Sequence, residues 1–178
     1  MDSINQNQEE KNREHLDAGA AVKKIKELVD IAKTCFLTTE VSSSQSYGTR
    51  PMTAQKVDDA GVIWFLMAND SHAYKDIAAN PKVKLHFQGS AHSDFLYLEG
   101  NGELLSDRGK MKELWEPIMK TWFTEGLDDP RIAVLKVNPN RGYYWDTKHG
   151  NYIAGIKMMI GAVIGKTMDD SIEGKIQA

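Results

Sequence analysis

Seven short apolar segments, separated by turn-forming residues, occupy most of the sequence between residues 35 and 147. Several of them alternate apolar and polar residues, as a strand does when one of its faces is buried. The first three are joined by short connections, which favours an antiparallel arrangement. The predicted strands are residues 35–41, 49–57, 62–67, 82–90, 94–105, 131–139 and 141–147.

Helical patterns flank these strands. Residues 18–33 carry apolar side chains at spacings of three and four, which predicts an amphipathic helix. Residues 107–123 follow the potential caps Ser106 and Asp107 and contain Pro117, so we expect two short helices there. The sequence therefore predicts a mainly β fold with flanking helices, an antiparallel barrel.

The chain of 178 residues is long enough for one domain with a substantial core. We expect residues 1–16 to form a flexible arm, residues 17–165 the domain, and residues 166–178 a tail to which the sequence assigns no role. Gly100 and Gly102 fall inside a predicted strand, where a barrel needs a bulge or a bend.

Charge and composition exclude several classes of partner. The formal net charge of −3 gives no basic field that would attract a nucleic acid. The polar, acidic amino terminus is unlike a signal peptide. Residues 152–165 are apolar but contain Lys157 and are shorter than the roughly 20 residues of a membrane span, so we interpret them as a packed helix or a partner contact.

Cysteine and histidine usage gives further limits. Cys35 is the single cysteine, so one chain cannot form a disulfide or a cysteine zinc site, and a cytoplasmic location fits best. Its apolar surroundings favour a buried thiol over a nucleophile. The five histidines lack metal-binding spacing, so we expect no metal site and name no catalytic side chain.

The junction between residues 62–67 and residues 72–80 has two interpretations. Ser71 or Asp70 can simply cap a helix that ends at Asn80 and Pro81. Alternatively, the free N–H groups of that helix, together with Ser71, His72 and Lys75, can hold a phosphate. No glycine-rich phosphate loop is present to decide between them.

Arg50 and the aromatic run at residues 143–145 are also ambiguous. Arg50 begins a predicted strand and can present its guanidinium to a phosphate, or it can face solvent. The phosphate interpretation needs its strand to lie beside the helix at Ser71, as it would if residues 49–57 paired with residues 62–67. The aromatic residues can enclose a planar ring or alternate along a barrel strand.

Four sequence pieces, in this order, resemble the pyridoxamine 5'-phosphate oxidase-like split barrels, and among them the general stress protein 26 subgroup. They are the amphipathic helix leading into FLTTEV, the RPM strand, the apolar strand followed by NDSHAYKDIAANPKVKL, and FLYLEGNGELL followed by GYYWD. The resemblance covers residues 18–165. It implies an antiparallel split β-barrel that forms a homodimer and binds flavin mononucleotide (FMN) in a groove at the dimer interface.

The resemblance also implies which residues bind the cofactor. Arg50 and Ser71 match the phosphate-binding positions, and Trp145 matches a tryptophan that reaches the flavin of the other subunit. The remaining members lie on the strands or the helix beside these positions. The complete predicted set is Arg50, Pro51, Met52, Thr53, Leu66, Met67, Ser71, His72, Lys75 and Trp145.

The implied function is that of an FMN-dependent oxidoreductase with an unknown substrate, reduced by NAD(P)H or a small-molecule electron donor. Oxidation of vitamin B6 is not expected, because residues 146–155 lack the Arg-x-His element that follows the tryptophan in the true oxidases. Two alternatives stay open: a non-catalytic flavin-binding stress protein, and a split barrel that binds haem or a deazaflavin in the same groove.

Overall fold

The computed structural model describes residues 12–40, 48–148 and 170–178. Within these ranges the chain forms nine strands, three α-helices and two short 3-10 helices. The elements are β1 Leu16–Asp17, α1 Ala18–Ala32, β2 Thr34–Thr39, β3 Thr49–Thr53, β4 Lys56–Val57, β5 Ile63–Ala68, α2 His72–Ala79, β6 Lys82–Gln88, β7 Phe95–Leu105, α3 Arg108–Leu114, the 3-10 helices Pro117–Thr121 and Gly126–Asp128, β8 Ile132–Thr147 and β9 Ser171–Gln177.

The strands form one sheet in the order β1-β9-β8-β7-β6-β2-β3, and β5 joins it by pairing with β8. Neighbouring strands are antiparallel except β1 and β9, which are parallel. Residues 132–137 of β8 pair with β5 and residues 141–147 pair with β9, while β7 follows the opposite edge of β8 along nearly its whole length. The predicted fold, a mainly β split barrel with flanking helices, is confirmed.

The prediction of two strands at residues 131–139 and 141–147 is wrong, because β8 is one continuous strand of 16 residues. Pro139 lies between the part of β8 that pairs with β5 and the part that pairs with β9. Its missing N–H is therefore tolerated where the partner strand changes. The register of the β7–β8 ladder shifts between Glu99 and Gly100, where Asn140 of β8 is the extra residue, which confirms the predicted irregularity at Gly100.

The prediction that residues 49–57 pair as one strand with residues 62–67 is also wrong in part. The segment divides into β3, which pairs with β2, and β4, which pairs with β5. Arg50 therefore lies on an edge strand of the sheet, and its strand has no ladder to β5 among the described residues.

Two clusters of buried apolar side chains hold the fold together. The larger fills the barrel and includes Ile25 and Leu28 of α1, whose apolar face closes one side. The smaller lies under α3 and the following 3-10 helix, which cover the outer face of β5 and β8. The predicted pair of short helices is confirmed, and Asp107 caps α3 by accepting a hydrogen bond from the Lys110 amide at 3.0 Å.

The carboxyl-terminal segment is part of the sheet. β9 lies between β8 and β1, and the carbonyl of Glu14, just before β1, accepts a hydrogen bond from the buried hydroxyl of Tyr144 at 2.9 Å. Part of the predicted tail therefore has a structural role, because residues 171–177 form hydrogen bonds that hold the residues preceding α1 against the sheet. The predictions for residues 1–11 and 152–165 lie outside the described residues.

Replacing Gly174 of β9 should destabilise the protein. A Cβ at this position would lie 1.6 Å from the carbonyl oxygen of Glu14, so the backbone must move. We expect Gly174→Ala to lower the free energy of unfolding by about 1–3 kcal/mol in urea denaturation. Gly19→Ala is the control, because nothing lies within 4 Å of a Cβ there. Equal stability for both variants would contradict this packing.

Candidate functional site

Helix α2 begins directly after β5 and is capped as the sequence predicts. The Ser71 hydroxyl oxygen accepts a hydrogen bond from the Tyr74 amide at 3.2 Å, and Ser71 has extended backbone angles. Asn69 donates from its amide to the carbonyl of Arg131 and from its side chain to the carbonyl of Pro130. These bonds fix the short connection that sets the position of the α2 amino terminus.

Arg50 of β3 contacts the same helix, although not at its amino terminus. Its Nη2 lies 3.0 Å from Oδ2 of Asp76, a residue of α2 that is only 6% exposed. Its Nη1 donates to Oγ1 of Thr39 at 3.2 Å, and that hydroxyl lies 2.9 Å from the same Asp76 oxygen. An ion pair between side chains that are 16% and 5% exposed therefore joins the edge strand β3 to α2.

The structure thus brings Arg50 close to the helix that carries Ser71, His72 and Lys75. Met52 lies two residues further along β3 and packs against the barrel core, whereas Pro51 and Thr53 are exposed. This division follows from the alternation of side chains along a strand. Adjacent members of the predicted set therefore point to opposite faces of the edge strand.

Leu66 and Met67 are separated in the same way at the end of β5. Met67 belongs to the barrel core, whereas the half-buried Leu66 packs against the cluster under α3. The two residues end the strand that leads to Ser71, but their side chains contact different layers.

A groove of about 890 Å³ lies on the outer face of the sheet, and Pro51 and Trp145 are the members of the predicted set that line it. A row of residues in register crosses this face from β3 to β8. The row is Pro51, Phe36, His86, Tyr97 and Tyr143. The His86 and Tyr97 rings have centroids 4.9 Å apart, and the Tyr143 and Trp145 rings 4.7 Å apart.

Two large aromatic side chains of this groove are exposed. Phe36 is 58% exposed and Trp145 is 43% exposed, whereas Tyr144 between the outer aromatics of β8 is 1% exposed. The aromatic run therefore alternates along a barrel strand and also presents a flat surface. Phe36, His86 and Tyr97 were not predicted as site residues, although the period of two in residues 82–88 places His86 on the outer face.

A polar network borders the aromatic row. The Tyr97 hydroxyl donates to Glu99, which also accepts from Arg141 at 2.7 Å. Burial, followed by the neighbouring Glu99 carboxylate, raises the pKa of Tyr97 to about 12. The same hydrogen bonds from Tyr97 and Arg141 lower the pKa of Glu99. Tyr97 is therefore a neutral hydrogen-bond donor to a carboxylate at physiological pH.

Cys35 borders the groove but is itself almost fully buried. Burial raises the pKa of its thiol to about 12, so the thiolate that a nucleophile requires is not formed at neutral pH. The expected buried thiol is confirmed.

Neither a metal cluster nor a spanning helix is found in the described part of the chain. Across residues 12–40, 48–148 and 170–178, no group of three His, Cys, Asp or Glu side chains is placed to hold a metal ion. No helix in those ranges is long and apolar enough to cross a membrane.

Solved structures of known proteins share this fold. A candidate general stress protein 26 from a Jannaschia species superposes with a TM-score of 0.74 at 22% identity, over 88% of this chain and 97% of that chain. The general stress FMN/FAD binding protein of Xanthomonas citri superposes with a TM-score of 0.58 at 25% identity, over 68% of this chain and 84% of that chain. Structural neighbours of the chain are thus general stress proteins.

Sequence comparison extends the same relationship. The chain is 22% identical over 121 residues to protein bli-3 of Neurospora crassa, covering 63% of this chain and 58% of that protein, which is less than two thirds of its length. Residues 20–169 match the family described as pyridoxamine 5'-phosphate oxidase like. The chain therefore belongs to the pyridoxamine 5'-phosphate oxidase-like family.

Proposed function

We propose that the protein binds FMN and acts as a flavin-dependent oxidoreductase of the general stress type. The observation that carries the proposal is the contact of Arg50 with α2, the helix whose amino terminus is Ser71. It places a guanidinium beside a helix that offers a hydroxyl and free backbone amides. A relative of the same fold is named as an FMN/FAD binding protein.

The residues at the amino terminus of α2 have the chemistry to bind a phosphate. The Ser71 oxygen accepts from the Tyr74 amide, and its own O–H can still donate to a ligand. The first amides of α2 point out of the helix end, where the helix dipole favours an anion. Lys75 and His72 lie on the first turn and a half of the same helix.

The flavin ring would lie along the backbone of Met52 and Thr53 and the end of β5 at Leu66 and Met67. A bound flavin supplies a ring that accepts and releases a hydride. The chain binds this ring, orients it and excludes water from it. The physiological electron donor is proposed to be NAD(P)H or another small molecule.

The outer groove supports a homodimer. Pro51 lies on the opposite face of β3 from Arg50, and Trp145 lies with it in the groove. Exposed aromatic side chains on the face of a sheet mark an interaction surface. We propose that the groove packs against a second copy, so that Trp145 of one chain covers the flavin held by Arg50 and Ser71 of the other.

The visible absorption spectrum of the purified protein, with mass determination of any released ligand, tests the cofactor. We expect a flavin spectrum, or its appearance after addition of FMN, with one flavin per chain. Reduction of the bound flavin by NAD(P)H, followed by its rapid reoxidation with a substrate, would support an enzymatic function. Flavin binding without turnover would support a storage or sensing protein. A Soret band would favour haem, and a protein that binds no flavin would contradict the proposal.

Substitution of Arg50 tests the phosphate end. Arg50→Ala should weaken FMN at least about tenfold more than riboflavin, because it removes a charge-assisted hydrogen bond to the phosphate and leaves the charge of Asp76 unbalanced. Titration by fluorescence quenching measures both affinities, and retained riboflavin binding shows that the variant is folded. Arg108→Ala is the control, since Arg108 is exposed and pairs with Asp128 on the other side of β5. Equal losses of affinity for FMN and riboflavin would show that Arg50 does not contact the phosphate.

Substitution of Phe36 tests the proposed interface. Phe36→Glu should convert the dimer to monomers in sedimentation velocity, because it places a charge in the centre of the aromatic row. Ile118→Glu changes a residue of similar exposure, 62%, on the 3-10 helix after α3, and should leave the dimer intact. A dimer that survives Phe36→Glu would exclude this face as the interface.

A further inference from the structure

Asp76 is a carboxylate in an unusual position for a phosphate site. It lies one and a half turns into α2, is 6% exposed, and accepts hydrogen bonds from Arg50 at 3.0 Å and Thr39 at 2.9 Å. Any anion that contacts Arg50 therefore meets a guanidinium whose charge is already balanced by a buried carboxylate. The sequence gives no indication of this, because an aspartate within a short amphipathic helix normally faces solvent.

The other charged groups around the α2 amino terminus do not restore a positive excess. Lys75 is a second cation of this region, and Asp70 is an exposed carboxylate directly before the Ser71 cap. Arg131 lies close enough to Asp70 for their charges to interact, but it is paired with Asp129 at 2.7 Å. Leaving His72 out of the count, the charges of Arg50 and Lys75 are offset by those of Asp70 and Asp76. A phosphate would then be held by hydrogen bonds from Arg50, the Ser71 hydroxyl and the backbone amides, with no excess of positive charge around it.

We propose that Asp76 is a specificity-determining residue that reduces the preference of the site for phosphorylated flavin over riboflavin. The inference rests on the proposed flavin site and concerns its selectivity. Asp76 holds Arg50 in place and joins β3 to α2, but its negative charge offsets the attraction of the guanidinium for a phosphate. The protein binds riboflavin and FMN with affinities within about tenfold of each other.

The size of the effect follows from Coulomb's law. Two anions that contact opposite edges of one guanidinium would be roughly 7 Å apart, a distance at which their charges repel by about 2 kcal/mol at an effective dielectric constant of about 20. Replacing Asp76 by the isosteric asparagine removes this repulsion and keeps an oxygen that accepts from Arg50. FMN should then bind about five- to fiftyfold more tightly, with riboflavin almost unchanged.

The experiment measures dissociation constants of FMN and riboflavin for the wild-type protein and for Asp76→Asn and Asp76→Glu. We expect the preference for FMN to rise at least about fivefold in Asp76→Asn and to stay at the wild-type value in Asp76→Glu. Asp146→Asn is the matched control, because Asp146 is also buried, and it pairs with Lys24 at 2.8 Å between α1 and β8. An unchanged or lower preference in Asp76→Asn would overturn the proposal.

The wild-type protein gives a second test if Asp76→Asn does not fold. A preference for FMN over riboflavin above about tenfold would contradict a charge-balanced site, and a smaller preference would support it. If the wild-type protein binds neither flavin, the proposed function fails by itself. Stabilisation of the folded variants by inorganic phosphate then tests Asp76: a larger rise in Tm for Asp76→Asn supports its role, and an equal rise refutes it.

Discussion

The antiparallel ladder between β7 and β8 joins the two parts of the barrel. β7 pairs with β8 from Phe95 to Leu105, while the opposite edge of β8 pairs first with β5 and then with β9. The division of that edge at Pro139 makes the barrel split. It also places β5, and with it the start of α2, on one part of the sheet and the aromatic groove on the other.

The ion pair between Arg50 and Asp76 is the second constraint. It connects an edge strand to a helix of eight residues, and the hydroxyl of Thr39 completes the hydrogen bonds of the buried carboxylate. Breaking one partner of such a pair leaves an unbalanced charge with little access to water. The same contact that aligns β3 with the proposed phosphate site therefore limits how strongly that site attracts a phosphate.

Periodicity in the sequence was sufficient to predict the positions of β2, β5, β6 and β7, the capping of α2 by Ser71 and the division of residues 107–123 into two helices. It was not sufficient to predict partner strands, because Pro139 and its neighbours have the composition of a turn although β7 holds them in a strand. The contact of Arg50 with Asp76 joins residues 26 positions apart and carries no local signal. The outer aromatic row likewise forms only when five strands are brought into register.

In the proposed dimer, each flavin site combines Arg50 and Ser71 of one chain with Trp145 of a second. Mixing the variants Arg50→Ala and Trp145→Ala, each of which should bind FMN weakly by itself, with subunit exchange, tests this arrangement most directly. Random exchange should restore tight FMN binding at about a quarter of the sites, because each mixed dimer contains one site with both native residues. A mixture that binds no more FMN than the two variants measured separately would contradict the account.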